Sequence, residues 1–160
     1  LFNKGTRVQR LLHGLKYKGK QEAGHLVGEW YGKELKNLKE FKEADYIVPV
    51  PLHPRKQKQR GYNQSLSFAK GLSEELGIPV REDLIRRKLF TSSQTKKGKF
   101  SRWENMSEIF EADPAFDFKN KHILLVDDVV TTGSTIEACY NAFSKAGDVY
   151  ISVATIAYAE

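Results

Sequence analysis

Two adjacent carboxylates, Asp127 and Asp128, stand just before a stretch rich in hydroxyls, Thr131-Thr132-Gly133-Ser134-Thr135. Carboxylates accept hydrogen bonds from a pair of sugar hydroxyls. Gly133 lets the backbone come close to a ligand. The four hydroxyls and the neighbouring amides offer donors to an anion. Ahead of the acids runs Ile123-Leu124-Leu125-Val126, an unbroken apolar segment that predicts a strand buried on both faces. Behind the hydroxyls, Thr135 to Ala146 predicts a helix closed by Gly147. The order is strand, acid pair, small-residue loop over Asp127 to Ser134, helix. A parallel strand delivers its carboxyl end to the ligand side of a sheet. A helix N-terminus favours an anion by about 0.3–1 kcal/mol before hydrogen bonds are counted. A sugar phosphate fits both ends at once. The plainer reading, a capped strand end and a generic turn, leaves two acids, four hydroxyls and a glycine unexplained.

A nucleotide hydrolase is a second use for such a strand, with the acids holding Mg²⁺. That chemistry also needs a phosphate-cradling G-x-x-x-x-G-K-[ST] loop. Gly14-Leu15-Lys16-Tyr17-Lys18-Gly19-Lys20-Gln21 comes near, but Gln21 stands where a hydroxyl must meet the metal, and the segment follows a helix pattern and not a strand. The match is chance.

The elements that must position these groups follow from periodicity. Thr6-Arg7-Val8-Gln9 reads as a capping box before Val8, Leu11, Leu12 and Leu15. Ala23, Leu26, Val27, Trp30, Tyr31, Leu35 and Leu38 form an apolar stripe, which predicts a second helix packed on the core by that stripe. Tyr46-Ile47-Val48 is a short strand limited by Pro49 and Pro51. His53 to Gly61 reads as a basic loop, Asn63 to Leu76 as a helix ended by Gly77 and Pro79, and Leu84 to Leu89 as a strand. Residues 90–107 have no period and read as one long loop, a length that is usually functional. Val149 to Ala157 closes the sheet. Strands separated by helices predict an α/β fold with a parallel sheet.

Composition sets the outer limits. The chain has 160 residues, 40% hydrophobic and 29% charged, which fits one folded domain and excludes a disordered chain. One cysteine, Cys139, excludes an internal disulfide framework or a cysteine-rich zinc module, and reads as a small buried residue. His13, His25, His53 and His122 are scattered without ligand spacing, so no transition-metal site is visible; His53, at the start of the basic loop, is the one candidate to meet a ligand. There is no apolar run long enough for a membrane span and no signal-peptide pattern, so the expected compartment is the cytoplasm. The net charge of +6 is uneven: residues 1–60 hold 14 Lys/Arg against 6 Asp/Glu. A basic front half points to an anionic partner, or to Lys-rich helices that only confer solubility.

The segment Ile123–Thr135 resembles the phosphoribosyl-pyrophosphate (PRPP) signature of type I phosphoribosyltransferases. Leu15-Lys16-Tyr17-Lys18-Gly19, Val48-Pro49-Val50-Pro51-Leu52-His53, Arg60-Gly61-Tyr62-Asn63-Gln64, and Gln94-Thr95 with Arg102 and Asn105 narrow the resemblance to the ComF, or competence protein F, family. It implies a central, mostly parallel sheet flanked by helices, with a small helical hood over residues 1–45 and a core over 46–160. Members carry an N-terminal four-cysteine zinc module, which this chain lacks; with no initiator Met, it reads as a piece of a longer protein or a variant form.

The resemblance also implies roles. Asp127 and Asp128 meet the ribose hydroxyls, and Thr131, Thr132, Gly133, Ser134 and Thr135 wrap the 5′-phosphate. The loop after Val48 binds pyrophosphate; here it carries Arg55, Lys56, Lys58 and Arg60, which suit a highly charged leaving group. The loop 90–107, with Lys96, Lys97, Lys99 and Arg102, closes over the substrate and excludes water from a cationic transition state at ribose C1. Mg²⁺ accompanies PRPP through phosphate and diol oxygens. Three functions stay open: transfer of ribose 5-phosphate to a nitrogen acceptor, PRPP or nucleotide sensing without turnover, and single-stranded DNA binding in DNA uptake. The last draws on basic residues with Phe100 and Trp103 as stacking groups, and on a DNA-uptake helicase as a partner; a homodimer is a further expectation.

Overall fold

The computed structural model describes residues 21–88 and 109–158. Their elements are α1 (Gln21–Leu35), α2 (Lys39–Lys42), β1 (Tyr46–Pro49), α3 (Pro54–Arg60), α4 (Gln64–Leu76), β2 (Ile85–Arg87), β3 (Phe110–Ala112), β4 (Lys121–Val130), α5 (Ser134–Ala146) and β5 (Val149–Tyr158). The expected helix over 6–15, the near-miss phosphate loop and the loop 90–107 fall outside the described residues.

The apolar run Ile123–Val126 forms the middle of the sheet, and all four residues are fully buried. Its strand, β4, pairs in parallel with β1 on one side and β5 on the other. Alternation along β4 divides the core. Ile123 and Leu125 face Phe118, Cys139 and Phe143 of the α5 side, whereas Leu124 and Val126 face Phe68 and Leu72 of α4. Each such side chain contributes about 1.5–3 kcal/mol on burial. Beyond β1, Val80 makes a parallel bridge to Ile47. β2 and β3 form a separate antiparallel pair, which joins the α5-side core through Ile85, Phe110 and Ala112.

Four expectations need correction. The stretch His53–Gly61 is not a loop: Pro54–Arg60 is helical, with Pro54 in its first turn and Gly61 in the left-handed conformation at φ 79°. Strand β4 does not stop at Val126 but runs through both acids to Val130, because β5 keeps pairing as far as Val130↔Tyr158. Strand β2 is shorter than Leu84–Leu89, and its partner β3 was not foreseen.

The fourth correction concerns α1. Its apolar stripe forms the buried face only in part: Leu35 is buried and Val27 packs on the core, but Trp30 is 69% exposed and Leu26 49%. The buried positions are Gly24, Gly28, Gly32 and Leu35. These glycines give α1 a flat side that lies along α4. A methyl group on Gly28 would stand 2.9 Å from the Gly71 Cα and would collide with the Phe68 carbonyl oxygen. Tyr31 straddles the edge of this contact, stacked on Phe68 at 5.9 Å.

Candidate functional site

The carboxyl end of β4 carries Asp127 and Asp128, both half-buried. The strand gives way to a bend at residues 131–133, where Gly133 takes φ 78°, a left-handed value that glycine adopts without strain. Helix α5 starts at Ser134, and Thr132 Oγ1 lies 2.9 Å from Ser134 Oγ. The bend encloses a recess of about 30 Å³ lined by Asp127 and the Thr131–Thr135 segment. The predicted strand, acid pair, glycine bend and helix N-terminus therefore meet at one place on the carboxyl edge of the sheet.

The structure adds a second wall. Ser65, in the first turn of α4 and 4% exposed, donates its hydroxyl to Asp127 Oδ1 at 3.0 Å. The Asp128 backbone N–H donates to the same oxygen at 2.8 Å. Asn63 caps α4 by accepting from the Ser65 N–H at 3.1 Å, and its own amide donates to the Val50 carbonyl at 3.0 Å. Asn63, Gln64 and Ser65 are thus buried polar groups with partners, which tie α4 to the end of β1 and aim Ser65 at the acid. Sequence reading placed Asn63 and Gln64 in a family motif but did not single out Ser65, because Ser65 and Asp127 lie 62 residues apart.

The cations of α3 divide. Arg60 donates to Gln64 Oε1 at 2.8 Å. The Tyr62 phenol is pushed above its ordinary pKa, first by burial and also by the negative charge of Asp128, against the pull of Gln64 and Arg60. Arg60, Tyr62 and Asp128 thus share one electrostatic neighbourhood. Arg55, Lys56 and Lys58 lie exposed along α3. His53 caps α3 by accepting from the Arg55 N–H at 3.1 Å. A cavity of about 240 Å³ opens between β1, α3 and β2, and its lining cations are Arg86 and Arg87, which sequence reading did not single out. Arg87 packs its guanidinium 5.4 Å from the Phe110 ring centre, and burial lowers its pKa. Lys96, Lys97, Lys99, Arg102, Phe100 and Trp103 lie outside the described residues, in the connection from β2 to β3. Cys139 is fully buried as expected, and burial pushes its thiol far up, so it is inert.

Residues 63–159, more than half of the chain, match the family model described as the phosphoribosyl transferase domain. The chain belongs to that family, and its fold is the type I phosphoribosyltransferase fold. Solved structures agree on the fold. Glutamine PRPP amidotransferase from B. subtilis superposes with a TM-score of 0.53 at 21% identity, covering 81% of this chain and 26% of that one. An adenine phosphoribosyltransferase superposes with a TM-score of 0.53 at 15% identity, covering 93% and 75%.

Within the family, the ComF resemblance holds. Competence protein F of Haemophilus influenzae is 33% identical over 116 residues, 72% of this chain and 51% of that protein. DNA utilization protein YhgH of Escherichia coli K12 is 30% identical over 129 residues, 79% and 56% respectively. Competence protein ComFC of Streptococcus pneumoniae is 33% identical over 115 residues, 69% and 46%. The chain therefore spans about half the length of the curated relatives it matches. Among the described residues no helix is long and apolar enough to cross a membrane.

Proposed function

We propose that this chain binds PRPP at the carboxyl end of β4 and transfers its ribose 5-phosphate to a nitrogen acceptor, releasing pyrophosphate. The observation that carries the reading is the placing of Asp127 and Asp128 beside a left-handed glycine bend and the N-terminus of α5. The 5′-phosphate takes the amides and hydroxyls of Thr131–Thr135. The ribose diol donates to the two carboxylates, with Asp127 held in position by Ser65. The pyrophosphate lies toward the end of β1 and α3, where Arg60 shares the electrostatic neighbourhood of Tyr62 with Asp128. As the C1–oxygen bond to pyrophosphate lengthens, the carboxylates balance positive charge developing on the ribose ring. The acceptor nitrogen then forms the new bond to C1 and gives up its proton to the departing pyrophosphate. Positioning and charge carry such a reaction, and no covalent side chain is needed.

Mg²⁺ suits this site, since carboxylate oxygens at the sheet edge are hard donors of the kind it takes, directly or through water. When bound it would neutralise the pyrophosphate oxygens. The setting for such a reaction is the cytoplasm.

Calorimetry with Mg²⁺·PRPP tests the pocket, and pyrophosphate release across a panel of bases tests turnover. Wild-type protein that binds no PRPP at millimolar concentration would sink both parts; binding without release would leave a sensor. A second reading, single-stranded DNA binding linked to DNA uptake, is favoured by the exposed row Arg55, Lys56 and Lys58 and by the relatives' names. Titration with a labelled single strand at two salt concentrations tests it; affinity indifferent to salt counts against phosphate contacts.

A further inference from the structure

Away from the sheet edge, α1 and α4 bring together three side chains with metal-ligand chemistry. Nε2 of His25 lies 3.2 Å from Glu29 Oε1, one turn along α1, and 3.0 Å from Glu74 Oε2 on α4. All three ligand atoms fall within 4.8 Å of one another. We propose that His25, Glu29 and Glu74 bind a divalent transition metal, zinc by preference, that pins α1 to the core.

Three arguments support the site. A single imidazole nitrogen carries one proton at most, so it serves two carboxylates poorly, whereas a cation between the three atoms satisfies all of them. The spacing also suits a metal. Zinc bonds to nitrogen and oxygen run about 2.0–2.2 Å, which places tetrahedral ligands about 3.3 Å apart. Both measured separations lie close to that edge. Finally, the frame is fixed in advance. The contact between Gly28 and Gly71 holds the two helices at short range, so the ligands need only side-chain adjustment.

The donor set selects the metal. Imidazole nitrogen suits zinc, copper, nickel and iron, whereas magnesium and calcium prefer oxygen alone. Two carboxylates neutralise the ion's double charge. His25 and Glu29 are 29% exposed and Glu74 61%, so a water completes the fourth position without deep burial. The pair Lys33–Glu75, at 3.7 Å, engages the next carboxylate of α4 separately. Sequence spacing hid the site, because Glu74 lies 49 residues beyond His25. Nothing in it depends on the PRPP reading.

The test is zinc binding by the whole chain, measured by equilibrium dialysis with elemental analysis, for wild type, His25→Ala and Glu74→Gln. We expect one zinc whose affinity falls on the order of tenfold or more in each variant. At a hundredfold excess over Kd, zinc should raise the wild-type Tm by about 5 °C or more. That rise should vanish in both variants. Equal stoichiometry and affinity in wild type and both variants would place the metal elsewhere and overturn the proposal. So would the absence of zinc binding by wild type, or displacement of zinc by equimolar Mg²⁺. Glu74 is the most exposed of the three ligands, so Glu74→Gln keeps the test open even if His25→Ala disturbs the helix pair.

Discussion

Two turns leave the same edge of the sheet from neighbouring parallel strands, and they are built in opposite ways. The end of β4 and the bend after it present carboxylates, hydroxyls and amides. The turn after β1 presents cations, and it is stiffened into a short helix by Pro54, the His53 cap and Gly61. On the proposed reading, the first turn takes a sugar and a single phosphate. The other suits a group with more charge. Ser65 is the physical link between them, since it starts the helix that follows the basic turn and donates to the acid of the other. The lesson is that the edge is polarised along its length, with acids and hydroxyls where β4 ends and cations after β1.

The comparison breaks most sharply at the acids. Replacing both, as Asp127→Asn with Asp128→Asn, removes two charged acceptors worth about 1.5–3 kcal/mol each. PRPP affinity should fall by about a hundredfold or more in calorimetry, with the melting curve kept. A smaller effect is expected at the link. Ser65→Ala should weaken PRPP about tenfold, while Ser65→Thr, which keeps the hydroxyl, should restore most of it. Equal loss in both Ser65 variants would mean that packing, and not the hydrogen bond to Asp127, is what matters. On the basic side, Arg60→Ala should weaken pyrophosphate itself by several-fold and leave ribose 5-phosphate nearly unchanged, because a part-exposed cation contributes about 1 kcal/mol. Loss of both ligands together would show that the two turns act as one. Smallest of all, Lys56→Ala with Lys58→Ala should leave PRPP binding within about twofold. If these cations meet nucleic acid, the same change should flatten the salt dependence of single-strand binding by roughly one to two counterions.

How far each turn could be read in advance follows from how local it is. The β4 turn is contiguous from Ile123 to Thr135, so its strand, acids and helix start were all visible in residue order. Only the point where the strand ends was misplaced, because pairing with Thr155 and Ala157 of β5 carries it onward. The β1 turn has no apolar periodicity, so it was read as a loop, although Pro54 at its start and Gly61 at its end are helix punctuation. The hydrogen bond from Ser65, the approach of Arg86 and Arg87 to the cavity and the link from His25 to Glu74 all join residues distant in sequence. No local pattern holds them. α1 misled for another reason. Hydrophobic periodicity finds a buried face only when burial is done by large side chains, and here Gly24, Gly28 and Gly32 do it.

That glycine seam reaches further than its own helices. α4 is a single rod whose first turn carries Ser65 and whose middle carries Gly71. A methyl group wedged at Gly71 would press on the His25 carbonyl oxygen and the Gly28 Cα, and α4 would have to tilt to make room. Tilting swings Ser65 away from Asp127, so Gly71→Ala should register as weaker PRPP binding although it touches no ligand. Unchanged PRPP affinity in a folded Gly71→Ala protein would show that the rod yields by bending. The acid pair at the sheet edge is therefore open to remote control from the glycine seam, with the helix as lever and the seam as fulcrum.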